Sequence, residues 1–292
     1  MRGITNELER KAATSVAIGA SYEGRDPDLL ECMLPFVDCI EVTLETIAEE
    51  RSGEISLSKE VMSELSNLHG LVKFLVHGVG LSIGSHEGWS PTYFRLLDDF
   101  LDQIDVVWHS EHLGYTKVDG EHLGIMLAMP KTDEALDMVC VRVRAIQERY
   151  PIPFLLENIV HVVPDFRATY SDAAFLNALT SRTECGLIVD VYNLECDAHN
   201  HGFDIPSFLS ELDASRVREL HVAYGVEHDG FLLDVHSRLP QNSTIELARE
   251  VVRRSGDSAQ AVIYEFMPEA VPGLGHQSIA SGLAQLRQAF QD

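Results

Sequence analysis

The sequence predicts an α/β fold, a (β/α)8 TIM barrel, on three observations. Eight short Val/Ile/Leu-rich runs recur along the 292 residues, and such runs are typical of strands buried on both faces of a parallel sheet. Segments of helical length separate the runs, and strand–helix alternation implies parallel strands joined by right-handed crossovers. Most runs also close on an ionisable residue: Val76-His77, Val107-Trp108-His109, Leu156-Glu157-Asn158, Val189-Asp190, Leu220-His221 and Tyr264-Glu265. Repeated around one chain, such endings describe a ring of ligand-type side chains at the mouth of a barrel.

The apolar runs place the elements in order. Val16–Ala20 is the first strand and Pro27–Pro35 the first helix. Cys39–Thr43 is the second strand, with a helix opening near Ser58. Val72–His77 is the third strand, followed by the glycine-rich stretch Gly78–Gly84 and a helix over Thr92–Gln103. Asp105–His109 is the fourth strand, and its helix spans Thr132–Tyr150 with Thr132 as N-cap. Pro153–Asn158 is the fifth strand, with a helix starting near Asp172 after a long loop. Gly186–Val191 is the sixth strand, followed by a loop holding His199 and His201 and a short helix over Ile205–Leu212. Val217–Ala223 with Thr244–Arg254, and Ala261–Phe266 with Ser278–Phe290, complete the set.

An open doubly wound sheet is the rival architecture. It calls for a glycine fingerprint directly after the first strand, and Gly19-Ala20-Ser21 is not one. Gly78–Gly84 lacks the Lys-Ser/Thr of a phosphate loop. No Pro/Ser-rich linker or low-complexity tract marks a boundary, so residues 1–292 read as one domain with the barrel over about 16–290.

Lys and Arg number 22 against 46 Asp and Glu, a net charge of −24. Such a surface repels phosphate backbones and anionic membranes but not cations or basic segments, so neither nucleic acid nor a membrane is an expected partner. The five cysteines include no CxxC pair and do not form a disulfide framework, which fits a cytoplasmic protein. Met1–Ser15 has no apolar core of a secretory signal, and no apolar run is long enough to span a membrane.

The chemistry gathers at the strand ends. A lone strand-end histidine such as His77 is more often a hydrogen-bonded structural residue. A carboxylate leaving the Phe154-Leu155-Leu156 run costs several kcal/mol unless paired, so Glu157 needs a metal or a salt bridge, for which Arg167 is a candidate. His109, Glu111 and His112 follow strand four, and Asp190 and Asn193 follow strand six. Strand alternation puts Glu219 and His221 on one face, either the lumen or the solvated strand start. Asp234 and His236 project together if their segment is extended. These donors exceed the four that one zinc takes. A nitrogen/oxygen set without thiolates suits two or three ions of iron, manganese or zinc, and imidazole with carboxylate is typical of non-haem iron that handles oxygen.

Seven segments carry a resemblance to a known family: His77–Gly84, Ser110–Leu113, Leu156–Asn158, Asp190–Asn193, Asn200–Gly202, Glu219–Ala223 and Asp234–Ser237. They are similar to the multinuclear non-haem iron-dependent oxidative enzymes (MNIO), relatives of methanobactin biosynthesis protein B, over about Val16 to Glu265. The resemblance implies a xylose-isomerase-like TIM barrel holding two or three irons in a mixed Fe(II)/Fe(III) state, with O2 as co-substrate. It implies an oxidoreductase of RiPP and natural-product biosynthesis that modifies a residue, often Cys, of a ribosomally made precursor peptide beside a leader-binding partner protein. Carried over by motif, the metal ligands are His77, His112, Glu157, Asp190, His201, His221, Asp234, His236 and Glu265. Asn193 matches an asparagine close to the metals, and Glu45 and Glu111 are expected to orient ligands from behind.

The chain departs from the family pattern at Glu45-Thr46, Tyr192-Asn193, Ala223-Tyr224-Gly225 and Glu265-Phe266, positions that alter the pocket wall and leave every expected ligand in place. Three rivals use the same donors: a divalent-metal sugar isomerase, an endonuclease-IV-like hydrolase, and a non-catalytic metal- or peptide-binding protein. The isomerase calls for more carboxylates and a nearby lysine. The nuclease calls for a basic face that a charge of −24 does not offer.

Overall fold

The computed structural model describes residues 16–163, 165 and 167–291. Met1–Ser15, read above as lacking a secretory signal, lie outside them. From β1 (Ala17–Ser21) the chain passes through α1 (Pro27–Met33) to β2 (Cys39–Val42). The short helix α2 (Leu44–Ile47) and a hairpin of β3 (Ala48–Arg51) and β4 (Glu54–Leu57) precede α3 (Lys59–Ser66) and β5 (Lys73–Gly78). Helix α4 (Pro91–Leu101) leads to β6 (Val106–His112) and a second hairpin, β7 (Gly114–Val118) with β8 (Glu121–Ala128). Then come α5 (Asp133–Arg149), β9 (Phe154–Glu157), α6 (Asp172–Thr183) and β10 (Gly186–Asp190). Helices α7 (Val191–His201) and α8 (Ile205–Glu211) precede β11 (Val217–Val222) and a third hairpin, β12 (Tyr224–His228) with β13 (Phe231–Arg238). Helix α9 (Asn242–Ser255), β14 (Ala261–Tyr264), α10 (Val271–Leu274) and α11 (His276–Gln291) end the chain.

Eight of these strands pair in parallel and close in the order β1-β14-β11-β10-β9-β6-β5-β2. The closed ring excludes the open doubly wound sheet. Two apolar layers follow from the sequence. The larger packs the outward residues of the strands, such as Val76, Leu156 and Val189, against the helices. The smaller is a plug inside the barrel formed by Cys39, Leu75, Trp108, Leu155, Ile188, Ala261 and Ile263. Side chains two residues apart on a strand share a face. Two residues beyond members of the plug stand Glu41, His77, Ser110, Glu157, Asp190 and Glu265, all nearer the C-terminal mouth. The ring of ligand-type residues is therefore the next lumen layer above an apolar floor.

His109 falls out of this pattern because it has the opposite parity on β6. Its ring packs outward against Tyr150 and Phe154, at centroid distances of 5.2 and 4.8 Å. Neither ring nitrogen has a hydrogen-bond partner, and burial pushes its pKa down to about 3, so it stays neutral.

The structure corrects three further expectations. Strand β6 runs on to His112. The segment holding His199 and His201 is helix α7, not a loop. Asp190 caps this helix by accepting the Asn193 N–H at 2.7 Å, and Gly202 ends it at φ 72°. Third, the connections after the second, fourth and seventh barrel strands, for which the apolar runs give no strands, are β-hairpins with two-residue turns at Ser52-Gly53, Asp119-Gly120 and Asp229-Gly230. All six turn residues have positive φ, as type I′ turns require.

Candidate metal centre

Each central histidine is held by a partner that fixes its tautomer. Ser110 Oγ donates to Val76 O at 3.0 Å, so it accepts from His77 Nδ1, 2.9 Å away. His112 Nδ1 donates to Gly78 O at 3.0 Å. His221 Nε2 lies 3.3 Å from Glu41 Oε2, to which it donates. The free nitrogens are then Nε2 of His77, Nε2 of His112 and Nδ1 of His221, and all three face Glu157. Their distances to its carboxylate oxygens are 3.0, 3.6 and 3.6 Å. The supporting partner on the other ring nitrogen is the arrangement found behind metal-bound histidines. Glu157 meets these histidines and not Arg167, whose described contact is to Asp165.

The carboxylates join the same group. Asp190 gives Oδ1 to the α7 cap and keeps Oδ2 buried and unpartnered. Glu265 Oε2 lies 3.1 Å from His221 Nδ1 and 3.3 Å from His236 Nδ1. Asp234 Oδ1 is 2.5 Å from His236 Nε2. Two sets of donor atoms each lie within 4.8 Å of one another: His77, His112 and Glu157, and Glu157, Asp190, His221 and Glu265. A third such set is Glu41, His77 and His221. Glu157 is common to the first two sets.

Of the remaining sequence-predicted residues, Asn193 lies beside the centre. Its Nδ2 donates to Asn158 O at 3.0 Å while Oδ1 is buried without a partner. Glu45 accepts the Gly80 and Val79 N–H groups, at 2.6 and 3.3 Å, and so holds the loop after β5 rather than a ligand ring. A Cβ at Gly80 would sit 2.6 Å from Glu45 Oε1, so a larger residue there would displace this carboxylate. Burial, and the charge on Glu111, push the Glu45 pKa up to about 7. Glu111 accepts the backbone N–H of Leu81 and of His112. His201 lies apart from these donor sets at the end of α7, with Nε2 donating to His161 O at 2.6 Å. Sequence reasoning overlooked Glu41 and Ser110, and Glu219 proves to face the lumen rather than solvent.

The electrostatics are those of a protonated ligand cage. Burial opposes charge on His112, but Glu157 and Glu111 outweigh it and hold its pKa up to about 10. Burial likewise opposes charge on His221 and His236, and the carboxylates around each raise both well above the ordinary value. Burial would raise Glu157, yet His112, His221 and His77 pull it below the usual carboxylate range. Burial and the charge of Glu157 push Asp190 well up.

A metal fits these residues better than protons do. Glu157 Oε2, Asp190 Oδ2, His221 Nδ1 and both nitrogens of His236 are buried with no aligned hydrogen bond. Several are within hydrogen-bonding distance of one another, so their lone pairs point past each other into shared space. Buried polar atoms are rarely left in this state. The set contains imidazole and carboxylate with no thiolate, which suits iron, manganese or zinc.

A family model described as the RiPP precursor modification enzyme MbnB/TglH/ChrH matches residues 27–271. The chain belongs to this family. A UPF0276 protein of Anaeromyxobacter sp. (strain Fw109-5) is 32% identical over 241 residues, covering 82% of each chain. A UPF0276 protein of Caulobacter vibrioides (strain NA1000 / CB15N) is 32% identical over 187 residues, 64% of this chain and 67% of its own. Among solved structures, a xylose isomerase domain containing protein of Salmonella typhimurium LT2 has a TM-score of 0.61 at 10% identity, covering 95% of this chain and 98% of its own. The IOLI protein, solved with a zinc atom, has a TM-score of 0.60 at 13% identity over 92% and 96%. These structures confirm the xylose-isomerase-like barrel.

Above the centre lies a groove of about 620 Å³ that reaches His112, Asn193 and Asp234. Its walls come from two mouth hairpins, through Ile125 and Met126 of β8 and Phe231 and Leu233 of β13. Asn200 on α7 secures the β12–β13 hairpin, donating to Leu232 O at 2.9 Å and accepting from Leu232 N at 2.8 Å. Among the described residues, no helix is long and apolar enough to cross a membrane.

Proposed function

We propose that this chain is an iron-dependent, O2-using enzyme that oxidatively modifies a residue of a ribosomally synthesised precursor peptide. The convergence of His77, His112, Glu157, Asp190, His221 and Glu265 on one lumen layer, with several donor atoms unpartnered, carries the reading. His77, His112 and Glu157 would hold one ion; Glu157, Asp190, His221 and Glu265 would hold a second. Asp234 and His236, joined to the second set through Glu265, are the residues for a third. Bound there, a mixed Fe(II)/Fe(III) set supplies redox chemistry with O2 that protein side chains do not.

The chain's own residues position and neutralise. The four carboxylates Glu157, Asp190, Asp234 and Glu265 offset cationic charge in a site walled by apolar residues. Ser110, Gly78 and Glu41 keep the three ring planes fixed. The groove admits an extended chain between Ile125 and Phe231 and brings one side chain down toward His112 and Asn193. A cysteine thiolate is the substrate group best suited to meet a trivalent ion at that depth. A separate partner protein would grip the leader of the peptide, outside this groove.

The test begins with elemental analysis of freshly purified protein, which should find iron at two or three ions per chain. Co-expression with any short precursor peptide found encoded beside this gene, and with any leader-binding neighbour, should then change the peptide mass. The change should vanish without oxygen and with zinc alone. An equal mass change under argon would remove the oxidase reading.

A further inference from the structure

Behind His221 the lumen holds two carboxylates: Glu41, so far only the support of that ring, and Glu219, which the reading above does not use. Glu41 and Glu219 are 2% and 0% exposed, as buried as the apolar plug around them. His221 stands between them and the site. Its Nε2 is bonded to Glu41 Oε2 at 3.3 Å, and Glu219 Oε1 is 3.8 Å from the same nitrogen. Its Nδ1 faces the other way, toward Glu265 Oε2 at 3.1 Å and Glu157 Oε1 at 3.6 Å. Glu219 is fixed from beneath: Trp108 Nε1 donates to its Oε2 at 2.7 Å, while its Oε1 has no hydrogen-bond partner. An indole N–H can only donate, so Trp108 sets which way this carboxylate lies.

Burying these groups is unfavourable for the fold by itself. Among the described residues, no lysine or arginine pairs with Glu41 or Glu219; their ion pairs are with His221. An unpaired buried carboxylate destabilises a protein, and replacing it with a neutral group of the same shape commonly relieves that. Function supplies a reason to keep both. Neutral imidazole can carry its proton on either nitrogen, and a carboxylate at one nitrogen holds the proton there, fixes the ring and strengthens the opposite nitrogen as a ligand.

We propose that Glu41 and Glu219 are positioning residues that keep the proton of His221 on Nε2 and so present Nδ1 to the metal, with Trp108 locking Glu219 in place. Glu41 is the direct partner, and Glu219 biases the same nitrogen from below. The inference rests on the reading of the centre as a metal site.

Fe2+ under anaerobic conditions, and separately Zn2+, are titrated against a chromogenic chelator, and the melting of the metal-free proteins is recorded alongside. Glu41→Ala should weaken binding about 10- to 100-fold, and Glu41→Gln, which still accepts the His221 proton, should recover most of it with the number of ions unchanged. Glu219→Gln should weaken binding several-fold while the metal-free protein melts no lower than wild type, and higher if the buried charge is fully uncompensated. A packing role gives the reverse pattern, lower melting with unaltered affinity, and that result overturns the proposal. So does loss of a whole ion equally in Glu41→Gln and Glu41→Ala, which would make Glu41 itself a ligand. A wild-type chain that takes up neither metal refutes the metal centre first, a failure visible before any variant is made.

Discussion

At the scale of single residues, the candidate site was legible wherever a ligand-type side chain interrupts an apolar strand. His77, Glu157, Asp190, His221 and Glu265 announce themselves because nothing apolar explains them there. Glu41 carried the same signal, since it stands within Cys39-Ile40-Glu41-Val42, a strand buried throughout, and it was passed over because its strand does not end on it. Ser110 gave no signal, because a serine in a strand is ordinary until the histidine opposite it is seen. The residue that decides the most is Glu157, which faces three imidazoles. Exchange of Glu157 for Gln should abolish tight binding of at least one ion, read as metal per chain. The histidines also set a pH dependence. In the metal-free protein His112 titrates at about 10, above the ordinary value of about 6.5. Its charged form therefore stabilises the fold fully below about 6.5, and that contribution disappears as pH rises through about 10. A metal needs the neutral ring, so it must displace this proton. Affinity should climb as pH rises from about 6 to 9, and calorimetry at pH 7 in two buffers of different ionisation enthalpy should report at least one proton released per chain. Binding with no proton release would mean the rings are already neutral.

At the scale of elements, the eight barrel strands were readable from apolar runs alone, to within a residue or two at most ends. The mouth was not, although the signal was present. Asp119-Gly120 and Asp229-Gly230 are among the strongest short hairpin markers, and each is followed by apolar residues, Ile125–Leu127 and Phe231–Leu233, for which a strict strand–helix alternation leaves no place. Helix α7 was read as a loop because its donors, Asp190, Asn193, His199 and His201, suggested a ligand-bearing connection, whereas Asp190 serves both as cap and as candidate ligand. What holds these mouth elements together is a buried ionic cluster. Asp197 on α7 accepts both the backbone N–H of His161 at 2.9 Å and its Nδ1–H at 2.5 Å. His161 Nε2 lies 3.1 Å from Asp172 at the start of α6, and Lys131 Nζ is 3.0 Å from that same carboxylate. This clamp ties the loop after β9, one wall of the groove, to two helices. Breaking a buried pair by removing one partner costs about 3–5 kcal/mol, so Asp197→Ala should lower unfolding stability in urea by roughly that amount. Burial and the Lys131 ammonium, 2.6 Å from His161 Nε2, oppose charge on His161, and Asp172 and Asp197 outweigh them, raising its pKa to about 9. The pairing is present in full below about 6.5 and fades through about 9. The gap between wild type and Asp197→Ala should therefore narrow between pH 6.5 and 9.5, and an unchanged gap would leave only the backbone hydrogen bond as its cause.

At the scale of the whole molecule, two kinds of negative charge act differently, and salt separates them. The net charge of −24 lies mostly on exposed side chains. Exposed ion pairs such as Arg149–Asp98 and Arg182–Asp137 are present, but pairs of this kind contribute little each. Unbalanced repulsion then destabilises the compact state, and it is screened over about 10 Å at 0.1 M salt. The carboxylates of the lumen are shielded from the solvent and its ions, so salt does little for them; a bound cation does much. A ligand present at about 100 times its dissociation constant stabilises the native state by about 2.7 kcal/mol. The melting temperature of the metal-free protein should rise when sodium chloride goes from about 10 to 150 mM, where the Debye length falls to about 8 Å. The further increment on loading with iron should be nearly the same at both salt levels, and a chelator should remove it at either. An increment that shrinks in step with screening would place the bound ions on the acidic exterior instead of in the barrel. On the proposed function, a basic precursor peptide or partner protein would be drawn to this exterior, and its association should slow steeply as salt increases, while the chemistry inside the groove, walled by Ile125, Phe231 and Leu233, should be insensitive to it.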